Sequence, residues 1–208
     1  MKQITPYKNA ADAVQSLDNG GRFYNLLTTA DDGIISSAEL AKVGGLFNEK
    51  QKMILFLELS LHELENEAKE AVISKLDDGL KASYEKYRAQ VLLPSEAGEI
   101  GVLAKNAIIT GVPKVIASTT KFTAMVMIPI MAGKVMTMIM IPISEKYDVY
   151  ELRDEATSDT FLIAHAKEAT KLPEEKIIVA GVLKELKPEK GEKTEAKKFL
   201  EINYFLHI

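Results

Sequence analysis

Apolar residues change their spacing partway along this 208-residue chain. From Glu49 to about Leu92 they recur every three or four positions, at Leu57, Leu61, Leu64, Ala68, Val72, Leu76, Leu80, Tyr84, Tyr87 and Val91. That spacing predicts amphipathic helix with one face in a core, and Glu63, Glu67, Lys69, Glu70 and Lys81 fall elsewhere around the wheel. Asp77-Asp78-Gly79 is a break signal. Pro94 should end the pattern, because proline has no N–H and its ring clashes with the preceding turn. Upstream, residues 8–47 read as short helices separated by Asp18-Asn19-Gly20-Gly21 and Asp31-Asp32-Gly33. Residues 95–106 follow neither period.

Beyond them the chain reads as β. Strands are predicted at Ala107–Ser118, 122–143 (as a hairpin), Asp148–Arg153, Thr160–Lys167, Lys176–Leu183 and Phe199–His207, with one helix at Ala166–Lys171. The last strand alternates Phe199, Glu201, Asn203 and Phe205 against Leu200, Ile202, Tyr204 and Leu206. The expected fold class is therefore α+β. Residues 1–94 form a helical, bundle-like region, and residues 95–208 a mostly antiparallel sheet or small barrel.

One stretch departs from ordinary patterning. Six of the eight methionines lie within Phe122–Ile143, and Met-Ile-Pro-Ile occurs twice, at 127–130 and 140–143. Pro129 and the Ala132-Gly133-Lys134 break argue against a membrane-spanning helix, since a lysine at a bilayer centre costs roughly 3 kcal/mol. No transmembrane segment is expected. As two strands, the run places Phe122, Ala124, Val126, Ile128 and Ile130 on one side and Met125, Met127 and Met131 on the other; the return strand places Met136, Met138 and Met140 on one side. A four-residue turn at 131–134 would set Ile130 against Val135, Met127 against Met138 and Met125 against Met140. It would also keep both prolines out of hydrogen-bonded pairs, at a sheet edge. Both sides are apolar. The branched side suits close packing, and the methionine side suits adaptable contact with a partner, lipid or apolar ligand.

Composition narrows the function classes. Residues 1–94 carry 11 basic and 14 acidic side chains, and residues 95–208 carry 15 and 16, so neither half has the basic excess of a general nucleic-acid binder. The absence of cysteine removes disulfides, thiolate catalysis and cysteine zinc sites. The first residues lack the apolar core of a signal peptide, which favours a soluble, cytoplasmic protein.

Three short segments resemble known motifs. Asp32-Gly33-Ile34-Ile35-Ser36-Ser37-Ala38-Glu39 resembles the second half of an EF-hand calcium loop, but Thr28 and Ala30 stand where oxygen ligands belong. Ser36-x-x-Glu39 is also a helix capping box, the reading preferred here, and no metal is expected. Ser118-Thr119-Thr120-Lys121 resembles the Ser-x-x-Lys segment of penicillin-binding carboxypeptidases, yet it falls in predicted strand with no companion motif. His62 lacks the second histidine of a zinc helix, because position 66 is Asn66. The segment from Tyr147 to Phe205, with its Tyr-Glu-Leu-Arg-Asp start and charged loop, resembles an oligonucleotide/oligosaccharide-binding (OB) barrel.

The sequence thus names no reaction, no catalytic residue and no cofactor. It points first to a non-enzymatic binding or assembly module that meets a protein partner or another copy through Met125, Met127, Met136, Met138 and Met140, or through a sheet edge. The alternative is single-stranded nucleic-acid binding by an OB-like barrel, with Tyr147, Tyr150, Phe161 and Tyr204 as stacking aromatics and a lysine-rich loop from Lys184 to Lys198 that includes Lys187, Lys190 and Lys193. A hydrolase built on Ser118 and Lys121 ranks last.

Overall fold

The computed structural model describes residues 1–20, 29–45, 49–132, 135–166, 171–186 and 197–208; side chains are described at all of these except 117–132, 135–146, 166, 186 and 197. Among the described residues are six helices and a seven-strand mixed sheet, so the fold is mixed α+β.

The front half is helical for local reasons. Helix α1 (Ala10–Leu17) is capped by Asn9, whose side chain accepts from Asp12 N at 2.8 Å. Helix α2 (Ser37–Gly44) opens with the Ser36/Glu39 capping box and stops at Gly45, whose φ of 73° suits glycine. Helix α3 (Lys50–Ser60) is the centre of the helical layer: Met53 to Leu57, Leu59 and Ser60 are all buried. Helices α4 (Asn66–Ser74) and α5 (Asp78–Tyr87) follow, and Asp77 caps α5 by accepting from Leu80 N at 2.6 Å. The long helical period is therefore cut twice. Leu61 and Leu64 stay in the core from a turn rather than a helix. Pro94 does not merely end a pattern; it begins a short helix, α6 (Pro94–Glu99), in the first turn, where a missing N–H is harmless.

The strands are β1 (Lys2–Gln3), β2 (Gln90–Leu92), β3 (Asn106–Ala132), β4 (Val135–Arg153), β5 (Thr160–Ala166), β6 (Ile177–Leu186) and β7 (Lys197–His207). Strand β3 pairs antiparallel with β4 and β6, β4 with β5, and β6 with β7; β5–β7, β1–β7 and β2–β3 are parallel. Period-2 alternation sorts two cores. Ile108, Ile178, Ala180, Tyr204 and Leu206 face the helices, while Ala107, Ile109, Ile177, Val179 and Leu200 join Tyr150, Leu152 and Ala97 on the other side.

The expected alternation of the last strand fails at one point. Ala180 pairs with Tyr204 but Gly181 pairs with Ile202, so Asn203 is an extra residue and the faces exchange there. Phe205 consequently sits in the same core as Leu200 and Ile202, whereas Tyr204 and Leu206 face the helices. Gly181 makes the bulge possible, because a Cβ there would come 2.1 Å from Glu201 O. The helix expected at Ala166–Lys171 falls mostly on residues outside those described.

Candidate functional site

Strand β3 is held on both sides near its start. Residues Asn106–Gly111 pair with β6, and Ala107–Ile109 pair with β2 on the other side. Strand β4 is flanked by β5 from Tyr147 to Arg153. Past this root the environment changes. From Thr120 to Ala132 and from Val135 to Tyr147 the two strands pair with each other, and residues 120–132 and 135–146 have no other strand partner among the described residues. The result is a two-stranded ribbon leaving the body of the sheet. At roughly 3.3 Å per residue, Lys121 to Ala132 span about 36 Å.

The ribbon's register corrects the expected one. At the root Val112 faces Arg153 and Val115 faces Tyr150; continued without interruption, that register would set Ile130 against Val135. Two irregularities, between Val115 and Ala117 and between Ala117 and Thr120, each add one residue to β3. The ribbon therefore closes two residues later, with Ala132 against Val135, and the four-residue turn at 131–134 is replaced. Val126 meets Ile141, Met127 meets Met140 and Met131 meets Met136, while Met125 lies opposite Pro142 and Met138 opposite Pro129. A shift of two preserves the two sides, so Met125, Met127, Met136, Met138 and Met140 keep register positions on a common side. Pro129 and Pro142 also fall in the same class of pair. That class must be the non-hydrogen-bonded one, since neither can supply an N–H. Whether the methionine side chains are covered lies outside the described side chains.

The root is polar and buried. Asp148 on β4 stands opposite His165 on β5; Asp148 is 5% exposed and His165 fully buried. The His165 ring stacks on Tyr150 with centroids 5.4 Å apart, and its Nε2 lies 3.2 Å from the Tyr150 hydroxyl. That hydroxyl also accepts from Leu172 N at 3.3 Å. Burial pushes the Tyr150 phenol up, against the Leu172 N–H, which favours the anion, so the group stays protonated at neutral pH. Asp148 Oδ1 is buried without a hydrogen bond. On the opposite side the Tyr147 hydroxyl donates to Glu201 Oε1 at 2.9 Å, and Glu201 pairs with Lys184. The sequence pattern picked out Tyr147 and Tyr150 for another role and did not join them to Asp148 and His165; an aspartate inside an apolar strand was the one signal of a polar cluster.

The remaining candidates separate clearly. Tyr147 and Tyr150 are buried, as are Phe161 and Tyr204, so none offers an open ring face for a base. Lys184 is engaged by Glu201, and Lys187, Lys190 and Lys193 lie outside the described residues. Ser118 and Lys121 sit in extended β3, where residues three apart are about 10 Å apart rather than one helical turn.

Glu39 acts as a cap, fully buried, with Oε1 accepting from Gly20 N at 2.6 Å and Oε2 from Ser36 N and Oγ at 2.8 Å. Asp18 likewise accepts from Asp32 N and Gly33 N. Within the calcium-like loop, Asp32 Oδ1 accepts from Ile34 N at 2.9 Å, so Asp32 and Glu39 are both engaged by backbone donors. No cluster of metal-ligating side chains occurs among the described residues.

One further feature went unread in the sequence. Val91, Leu93, Ile100, Val102 and Leu103 form an exposed apolar stretch on and beside the edge strand β2. Val91, placed by its period on a helix face, is 74% exposed on that strand. No helix among the described residues is long and apolar enough to cross a membrane. No protein-family model matches the chain, and a search of curated proteins returns no match.

Proposed function

We propose that this chain is a non-enzymatic binding or assembly module whose working element is the methionine-rich ribbon. The observation that carries this reading is the pairing pattern: residues 120–132 and 135–146 leave the sheet and have only each other as strand partners among those described. A free-standing hairpin is marginal in water, and one that is apolar on both sides has its reason in something it meets. Methionine fits that task, since its unbranched, polarizable side chain adapts to a second surface.

Peroxide footprinting of the dilute chain tests the reading directly. Met53, 3% exposed within the helical core, is the internal reference. The six ribbon methionines should form sulfoxide at least ten times faster than Met53. Equal rates would mean that the ribbon is already covered by its own chain, and the reading fails.

The strand order supports a second reading. Pairing runs β3–β4–β5–β7–β6 and back to β3, with β5–β7 parallel. An OB-like barrel would have that succession, and its nucleic-acid loops would be the β3–β4 and β6–β7 connections. The buried aromatics and the acidic balance weigh against it. Anisotropy of a labelled oligothymidine at low salt, lost as salt rises, would favour this second reading.

A further inference from the structure

The ribbon, which pairs with no third strand among the described residues, has the dimensions and charge layout of a bilayer-crossing hairpin. Phe122–Ala132 is 11 residues and Val135–Ser144 is 10, and neither contains a charged side chain. A membrane β-strand needs about 9–11 residues to cross roughly 30 Å of hydrocarbon. Charges bracket the run at both ends. Lys121 pairs with Lys146 and Phe122 with Glu145 at the root, and in the sequence Lys134 falls between the two uncharged runs. The features that exclude a helix thus become compatible with a hairpin, because Lys134 separates two uncharged runs in the sequence instead of interrupting one span.

We propose, resting on the binding-module reading above, that the partner is a lipid bilayer and that the ribbon inserts across it as a hairpin. Both sides of the ribbon are apolar, whereas the wall of a water-filled pore alternates apolar and polar residues. The inserted ribbon is therefore an anchor and not a channel. Its two outer edges still carry backbone donors and acceptors that lipid cannot satisfy. Pro129 and Pro142 each remove one outward N–H, and the rest must pair with ribbons of neighbouring copies. Insertion and assembly are then one event.

The chain has no cysteine, so single-cysteine probes are clean. Met127→Cys and Ile128→Cys, adjacent residues on opposite sides, would each carry the polarity-sensitive dye NBD, with exposed Glu151→Cys as the reference. On vesicles of 3:1 phosphatidylcholine and phosphatidylglycerol, both ribbon probes should brighten at least threefold and Glu151→Cys should not. Lys134→Cys should become protected from an external impermeant maleimide until detergent is added. Entrapped dye should stay inside. Placing charge on a cross-strand pair in mid-span, Ile128→Asp with Ile139→Asp, should cut vesicle flotation at least tenfold without changing the melting temperature.

Brightening on one side alone would place the ribbon flat on the surface and overturn the proposal. So would brightening that appears without vesicles, which would make a second copy the occupant. If vesicles leave both probes dark while the ribbon methionines still oxidise rapidly, the lipid inference falls and the binding-module reading stands.

Discussion

Strand β3 has two lives. At Asn106–Gly111 it is paired with β6 while β2 lies along Ala107–Ile109, and Ile109 is fully buried. Twenty residues on, at Ile128, it has a strand partner on one edge only among the described residues. Both segments are apolar, with Ala107, Ile108 and Ile109 in one and Val126, Ile128 and Ile130 in the other, so apolar content alone does not tell a strand inside the sheet from one beyond it. What distinguishes them is whether other elements complete the edges. The body uses its apolar residues to close a core; those of the ribbon lie on strands that, among the described residues, pair only with each other.

The largest predicted effects fall on the body. Leu57→Ala, at a fully buried position on α3, should cost about 2–5 kcal/mol of unfolding free energy in a denaturant titration. Ile128→Ala should change the same titration by less than about 0.5 kcal/mol, the range of substitutions away from packed sites. A comparable loss at both would erase the distinction between the two segments.

Next comes Glu39→Ala. It orphans Gly20 N and Ser36 N inside the helical layer and should cost about 3 kcal/mol, read from the shift in denaturation midpoint.

The third prediction concerns pH. Burial, opposed by the Ala89 N–H and Arg88, raises the Glu58 carboxyl from its ordinary 4.5 to about 7. The folded chain therefore holds this proton up to near neutrality, while the unfolded chain releases it near 4.5. This contribution is fully present below pH 4.5 and is lost as pH rises through about 7. Glu58→Gln, which keeps an acceptor for Ala89 N, should flatten that part of a melting-temperature profile between pH 5 and 8. A profile unchanged by the substitution would mean that the site is wetter than its burial implies.

The smallest expected effect sharpens the comparison most. Thr120 and Tyr147 face one another across the root. Replacing Lys121–Lys146 with Asn-Gly would close the hairpin there with a favoured two-residue turn. Calorimetry should find the body's unfolding free energy within about 0.5 kcal/mol of the full chain. A collapse in stability would mean that the ribbon belongs to the body after all.

Much of this architecture was legible before any coordinates. The change from a period near 3.6 to a period of two divided helices from strands. Ser36-x-x-Glu39 gave the start of α2, and the doubled Met-Ile-Pro-Ile gave the ribbon. The misreadings of register share a cause: each depended on residues with no compositional mark. Ala117 and its neighbours do not announce two register shifts, and Asn203 does not announce a bulge, yet these moved the ribbon pairing by two and reversed the last strand's faces. The aromatics misled for a different reason. Alternation assigns Tyr147 and Tyr150 to opposite sides, but it cannot reveal that both sides are packed. Within the candidate site, the pattern gave the apolar residues and their sides; the polar root, formed by Asp148 and His165 on different strands, required the fold.

The two irregularities at Ala117 have an engineering consequence. All mismatch between β3 and β4 is absorbed there, so the outer strands run in uninterrupted register from Thr120 and Tyr147 to Ala132 and Val135. Residues can then be removed or added in cross-strand pairs, two at a time, without reassigning any side chain to the opposite side or touching the sheet below. Reach becomes an adjustable dimension of the molecule, set in steps of about 7 Å, while the platform that carries it stays unaltered.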